Sequence, residues 1–188
     1  MIFEKQVRVP LERVGAIIGR SGRTKMKIEE ACVVEIDVDS RSGEVMIRSS
    51  DPASMQPFKA SEIVYAIGRG FAPDRAMKLL EGDNQLCVID LREFAGRSPT
   101  QIERVKGRLI GERGKARRNM EQLSDTMISV YGRTVSVIGS GDKLRTAVDA
   151  VTQLCNGSMH SSVYGRLESV RRRNKIEKTI LWEDQRVF

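Results

Sequence analysis

Residues 14–23 read VGAIIGRSGR, and residues 106–115 read KGRLIGERGK. Each is an apolar helical stretch that meets a Gly-x-x-Gly pair and restarts at once with basic residues. A glycine directly after a helix takes the left-handed C-cap, and a single one needs no other reason. Two glycines three apart, with a helix on either side, allow more. The missing Cβ atoms let another backbone lie against the loop, and the next helix offers N–H groups and a positive dipole end to a phosphate.

The surroundings of the pair recur as well. An offset of 92 carries Gly19 to Gly111, Gly15 to Gly107, Ile18 to Ile110, Gly22 to Gly114 and Glu29 to Glu121. It continues from Ile36 to Ile128 and from Val38 to Val130, inside segments whose period-two alternation marks hairpin strands. Glycines, helix faces and strand phase that agree without a gap indicate a duplicated unit.

Each unit is predicted to run β-α-α-β-β-α. The first has a strand over 3–9, closed by Pro10, then helices over 11–18 and 23–31. Strands over 33–39 and 44–49 follow, joined by Ser-Arg-Ser-Gly turn chemistry. A last helix is expected from Asp51 as N-cap, with Pro52 in its first turn and Pro57 early in its course, to about Arg69. A connector with one short helix over 72–80 leads to the second unit. That unit has a strand over 86–91, a helix over 98–110 capped by Ser98 with Pro99 in its first turn, and a helix over 115–123. Strands over 126–131 and 134–139 flank Gly132-Arg133, before a helix over 142–154. The expected domains are 1–82 and 83–157, with 158–188 as a basic tail. Residues 159–175 of the tail are expected to form a helix with Val163, Leu167 and Val170 on one face. Trp182 is read as a hydrophobic anchor or a protein contact rather than a base stacker.

A net charge of +7 makes a polyanion the first partner class to consider. The excess is uneven: residues 1–82 carry 13 Lys/Arg against 12 Asp/Glu, and residues 83–188 carry 19 against 13. Cys32, Cys87 and Cys155 are scattered and His160 is the only histidine, which suits a reducing compartment and argues against a disulfide framework or a zinc site. With no signal peptide and no membrane-length apolar run, a soluble cytoplasmic protein is expected.

The two loops, the unit order and the basic flanks resemble the KH domain family, whose Ile-Ile-Gly-x-x-Gly signature joins two helices and clamps about four single-stranded nucleotides. The resemblance implies an α+β protein of two tandem type I KH domains, each a three-stranded antiparallel sheet packed on helices, plus a C-terminal helix. It implies apolar grooves lined by Ile17, Ile18, Ile28 and Ile36 in the first copy, and by Leu109, Ile110, Met120 and Ile128 in the second; core packing is the expected job of most of them. The expected RNA-binding residues of the first copy are Gly19, Arg20, Ser21, Gly22, Arg23 and Lys25, with Arg13 and Lys27 nearby. Those of the second are Lys106, Arg108, Gly111, Glu112, Arg113, Gly114, Lys115, Arg117 and Arg118, with Arg171, Arg172 and Arg173 of the tail. Glu112 departs from the commoner basic pattern of the clamp.

Only nine positions separate Pro10 from Gly19, whereas twenty-one separate Asp90 from Gly111. This lengthened second copy, together with the tail NGSMHSSVYGRLESVRRRNKIEK, is similar to the archaeal relatives of the partner-of-Nob (Dim-two) ribosome-assembly family. That resemblance implies binding at the 3′ end region of small-subunit rRNA. Its implied partners are the Nob endonuclease and the alpha subunit of translation initiation factor two. No cofactor, metal or catalytic residue is expected. His160 lacks ligand-spaced partners, Asp37 and Asp39 share a solvent-facing strand face, and Gly114-Lys115 fails the P-loop pattern at Leu109 and Ala116. A general single-stranded RNA or DNA binder and an RNA nuclease remain as alternatives.

Overall fold

The computed structural model describes the backbone over residues 3–49 and 56–184, and side chains over 4–49 and 56–177. The expected helix start at Asp51-Pro52 and the side chain of Trp182 lie outside these residues.

Strand β1 (Phe3–Arg8) leads through Pro10 into α1 (Leu11–Ile18), which buries Val14 and Ile17. After the first glycine loop, α2 (Arg23–Cys32) buries Ile28 and Cys32. The hairpin β2 (Glu35–Asp39) and β3 (Glu44–Ser49) gives an antiparallel sheet in the order β1-β3-β2, so β2 is an edge. Its turn is held by Asp39, whose carboxylate accepts from the Arg41 N–H at 2.8 Å and the Ser42 hydroxyl at 2.7 Å. Helix α3 (Gln56–Gly68) closes the unit with Ile63, Val64, Ala66 and Ile67 facing inward. Full burial of Ile63, Val64 and Ile67 contributes about 1.5–3 kcal/mol each, and that of Ala66 less.

The connector bends where one short helix is expected. Helix α4 (Pro73–Ala76) tightens into a 3-10 turn over Met77–Leu80. The second unit repeats the sheet, with β4 (Asn84–Asp90), β5 (Met127–Tyr131) and β6 (Thr134–Ser140) in the order β4-β6-β5. Its longer lead-in is two helices, α5 (Arg92–Ala95) and α6 (Pro99–Ile110). Buried Leu91 pins this lead-in to the hairpin turn through its N–H and the Arg133 carbonyl, at 2.9 Å. Ser98 occupies the N-cap position of α6 but makes no capping hydrogen bond, so Pro99 alone starts that helix. Helices α7 (Lys115–Ser124), α8 (Gly141–Cys155) and α9 (His160–Asp184) complete the chain. Helix α9 runs nine residues beyond the expected end at Lys175.

The two sheets present opposite outer faces. In the first, Glu4, Glu35, Asp37, Asp39 and Glu44 stand exposed with Arg8 and Arg48. In the second, Leu86, Met127 and Ile138 occupy the corresponding face and join the core of the first unit. Strand β6 is therefore covered on both sides. The seam also holds polar ties: the Ser129 hydroxyl donates to the Arg69 carbonyl at 3.0 Å, and Lys59 donates to the Asn84 carbonyl at 2.7 Å. The Tyr131 hydroxyl donates to Glu12, and the Arg13 guanidinium lies 5.7 Å from the Tyr131 ring centroid. Gly70 makes this approach possible, since a Cβ there would sit 2.6 Å from the Tyr131 Cβ.

Candidate nucleic-acid interface

The two glycine loops trace one backbone path. Gly19 has φ 73° and ψ 177°, and Gly111 has φ 70° and ψ 178°, a region open essentially to glycine alone. A Cβ at Gly19 would lie 2.8 Å from the Thr24 nitrogen, and one at Gly111 would lie 2.8 Å from that of Ala116. The first glycine of each pair thus lets the next helix fold back against the loop. Ser21 (φ 54°) and Arg113 (φ 50°) take left-handed conformations although neither is glycine. Gly22 and Gly114 then stand at the N-caps of α2 and α7, where no side chain caps the helix. Uncapped N-termini leave their N–H groups for an anion.

Around these loops some cations are exposed and others are engaged by partners among the described residues. Arg20 and Arg23 are exposed at the first, and Arg113, Lys115 and Arg118 at the second, with Glu112 exposed beside them. The guanidinium of Arg118 lies over Gly114, where an added Cβ would meet its Nη1 at 3.2 Å; a Cβ added at Gly22 would meet no side chain within 4 Å. Lys25 stands 3.8 Å from Glu29, and Lys27 stands 3.6 Å from Asp74. On the second side Lys106 pairs with Glu103 at 2.7 Å.

Arg108, expected among the RNA-binding cations, is instead engaged within the fold. Its guanidinium donates to the carbonyls of Leu154 at 3.2 Å and Ser158 at 2.6 Å, and its own carbonyl lies 2.9 Å from the His160 ring Nε2. It fixes the α8–α9 junction against α6 and is not a free cation. Arg13 is likewise engaged, donating to the carbonyls of Ile67 at 2.8 Å and Phe71 at 2.7 Å.

Most of the expected groove residues are core. Ile17, Ile28, Leu109, Met120 and Ile128 have no exposed surface and Ile36 has 1%; only Ile18 and Ile110 are half-buried. The space between each clamp and its edge strand is spanned instead by a duplicated polar device. Glu29 accepts the Ile36 N–H at 2.8 Å, and Glu121 accepts the Ile128 N–H at 2.7 Å. Each carboxylate ties the helix after its clamp to the edge strand, and each has a cation four residues earlier, Lys25 or Arg117. An i,i+4 cation–carboxylate pair is readable in sequence; the strand N–H it serves is not.

In the tail, Val163 and Leu167 are buried as α9 packs on α7 and α8, while Arg171, Arg172 and Arg173 are exposed. Burial pushes the thiols of Cys32 and Cys155 up to about 11, which keeps both protonated and unreactive at neutral pH. Among the described residues no group of three or more His, Cys, Asp or Glu could hold a metal ion, and no helix is long and apolar enough to cross a membrane.

Residues 4–60 match the KH domain family, and residues 85–172 match the eukaryotic-type KH domain, type I. A KH domain-containing protein of Methanocaldococcus jannaschii is 38% identical over 179 residues, covering 94% of this chain and 78% of that protein. The pre-rRNA-processing protein pno1 of Schizosaccharomyces pombe is 26% identical over 176 residues, covering 91% and 72%. A solved complex of a/eIF2alpha, aDim2p and rRNA from Pyrococcus horikoshii contains a chain 39% identical with a TM-score of 0.85, covering 92% of this chain and 96% of that one.

Proposed function

The chain belongs to the Dim2/Pno1 family of tandem KH proteins, and from that premise we propose that it binds the single-stranded 3′ end region of small-subunit rRNA during ribosome assembly. The observation that carries this reading is the second clamp, a glycine-only loop before an uncapped helix, with Arg113, Lys115 and Arg118 exposed around it. Backbone N–H groups and fixed cations grip phosphates without demanding a sequence, and the edge strand opposite leaves the bases to be read. The working units are residues 1–82, 83–157 and 158–188, with the first clamp as a second RNA contact and Arg171 to Arg173 extending the backbone path. The Pyrococcus complex also supports the alpha subunit of translation initiation factor two as a partner. Cleavage belongs to a separate endonuclease of the Nob type; this chain holds the strand.

Binding of the 3′ segment of small-subunit rRNA against a scrambled RNA of equal length tests the reading. It expects at least a tenfold preference for the rRNA segment. Equal affinities would leave a general single-strand binder in its place. Incubation with end-labelled RNA and Mg²⁺ should leave the RNA intact, and cleavage by the purified protein would overturn the division of labour.

A further inference from the structure

Glu29 and Glu121 occupy equivalent places but carry different loads. Glu29 meets one cation, Lys25, at 3.8 Å. Glu121 meets two: Arg117 on its own helix, and Arg75, which reaches in from α4 of the connector, itself packed into the core of the first unit. The Arg75 guanidinium sits 5.7 Å from the ring centroid of buried Phe71, which steadies it. Its Nη2 donates to Glu121 Oε1, the same oxygen that receives the Ile128 N–H. Arg117 is left with the other oxygen, and its Nε stands 3.9 Å away, too far for a hydrogen bond. That Nε is buried and has no hydrogen-bond partner among the described residues, while about a third of the side chain, 36%, stays exposed.

In the first cleft, one carboxylate and one cation cancel. In the second, one carboxylate is shared by two arginines, and the one from outside the unit holds the closer contact. We propose that Arg75 is a positioning residue for the second cleft. By neutralising Glu121 it releases the charge of Arg117 to the phosphate oxygens of a bound RNA strand, so this cleft is completed by the first unit. The inference rests on the reading that the second cleft holds RNA. Two screened charges near 4 Å interact strongly enough at a protein surface to change a cation's availability.

The test is a mutant cycle read by RNA affinity and its salt dependence. Arg75→Ala should let Glu121 recapture Arg117, lowering affinity for the 3′ rRNA segment about fivefold and reducing the salt slope by about one single-strand phosphate contact. Arg75→Lys should restore most of the loss. Glu121→Gln keeps an oxygen for the Ile128 N–H while removing the charge, so Arg75→Ala with Glu121→Gln should return to within about twofold of the native protein. In an Arg117→Ala background, Arg75→Ala should cost less than about twofold. If Arg75 only braces the units, Glu121→Gln would weaken binding as Arg75→Ala does and rescue nothing, which overturns the proposal. An undiminished fivefold loss in the Arg117→Ala background would show charge summed over the whole surface, and would also overturn it. Glu112→Asp with Arg113→Asp serves as the reference. A flat cycle beside a weakened reference sinks this inference alone; a flat cycle beside an unchanged reference sinks the RNA reading of the second cleft too.

Discussion

Between the first copy and the second, the backbone of the clamp is held constant while its surroundings change. Gly19 and Gly111 share a conformation that other residues cannot take, and each lets the following helix fold back at the same distance. Around that fixed path, Met26 of the first copy becomes Arg118 of the second, and Ser21 becomes Arg113. The outer sheet face is charged and exposed in one copy, apolar and buried against its neighbour in the other. Duplication preserved the part that geometry makes irreplaceable, while the charged surroundings diverged. With Arg108 and Lys106 engaged elsewhere, the second clamp's advantage is narrower than its run of basic residues suggests. Under the proposed reading it rests on Arg113, Lys115 and Arg118 around the loop, on Arg117, and on the arginines of α9.

The harshest way to break the comparison is to separate the copies. Gly70 has φ 94° and no room for a Cβ against Tyr131, so Gly70→Val should destabilise the protein by about 2–4 kcal/mol, through overpacking and backbone strain together. Denaturant unfolding checks this; an unchanged midpoint would mean that the seam is loose. Next comes a matched change that gives both loops the same sequence. Glu112→Asp with Arg113→Asp should weaken RNA binding about tenfold or more, and Arg20→Asp with Ser21→Asp about threefold. These exposed positions spare the glycines, whose replacement would unfold the loops and obscure the comparison. Equal losses in a filter-binding titration would place the two clamps on a par.

Tyr131 offers a smaller effect with a defined direction. Burial, aided by the hydrogen bond to Glu12, pushes its phenol up from 10.0 to about 12. The folded protein therefore keeps the proton that the unfolded chain gives up. The resulting stability is fully present below pH 10 and is lost as pH rises toward 12. Tyr131→Phe should unfold with a shallower pH dependence across that window than the native protein, and superimposable curves would count against the seam's hydrogen bond. The smallest effect lies at the helix ends. Val33 and Asp125 both end their helices in left-handed conformations, at φ 51° and φ 55°. A β-branched residue is strained there and Val33 is 76% exposed, so Val33→Gly should stabilise by about 0.5–1 kcal/mol. Asp125→Gly should gain less, because aspartate tolerates that conformation better. Thermal denaturation of the pair decides it.

Much of the architecture was legible because it is local and repeated. The offset of 92 fixed both glycine loops and the phase of both hairpins, and all of them appear in the fold. The departures come from partners far along the chain. Arg108 reads as one more surface cation in a basic run, yet its carbonyl partners lie 46 and 50 residues onward. Arg75 carries no local signal at all, since Glu121 is 46 residues away and meets it only after two units have docked. The apolar residues flanking each clamp satisfy both a groove pattern and a core pattern, and hydrophobic burial settled the matter for six of the eight.

The most direct test of the claim that the second clamp carries the RNA is to photo-crosslink the bound 3′ rRNA segment and identify the attached peptides by mass spectrometry. The expected crosslinks concentrate in residues 111–118 and in the exposed arginines of α9, with a minor share at residues 19–25. Crosslinks dominated by residues 19–25, with residues 111–118 unmodified, would contradict it.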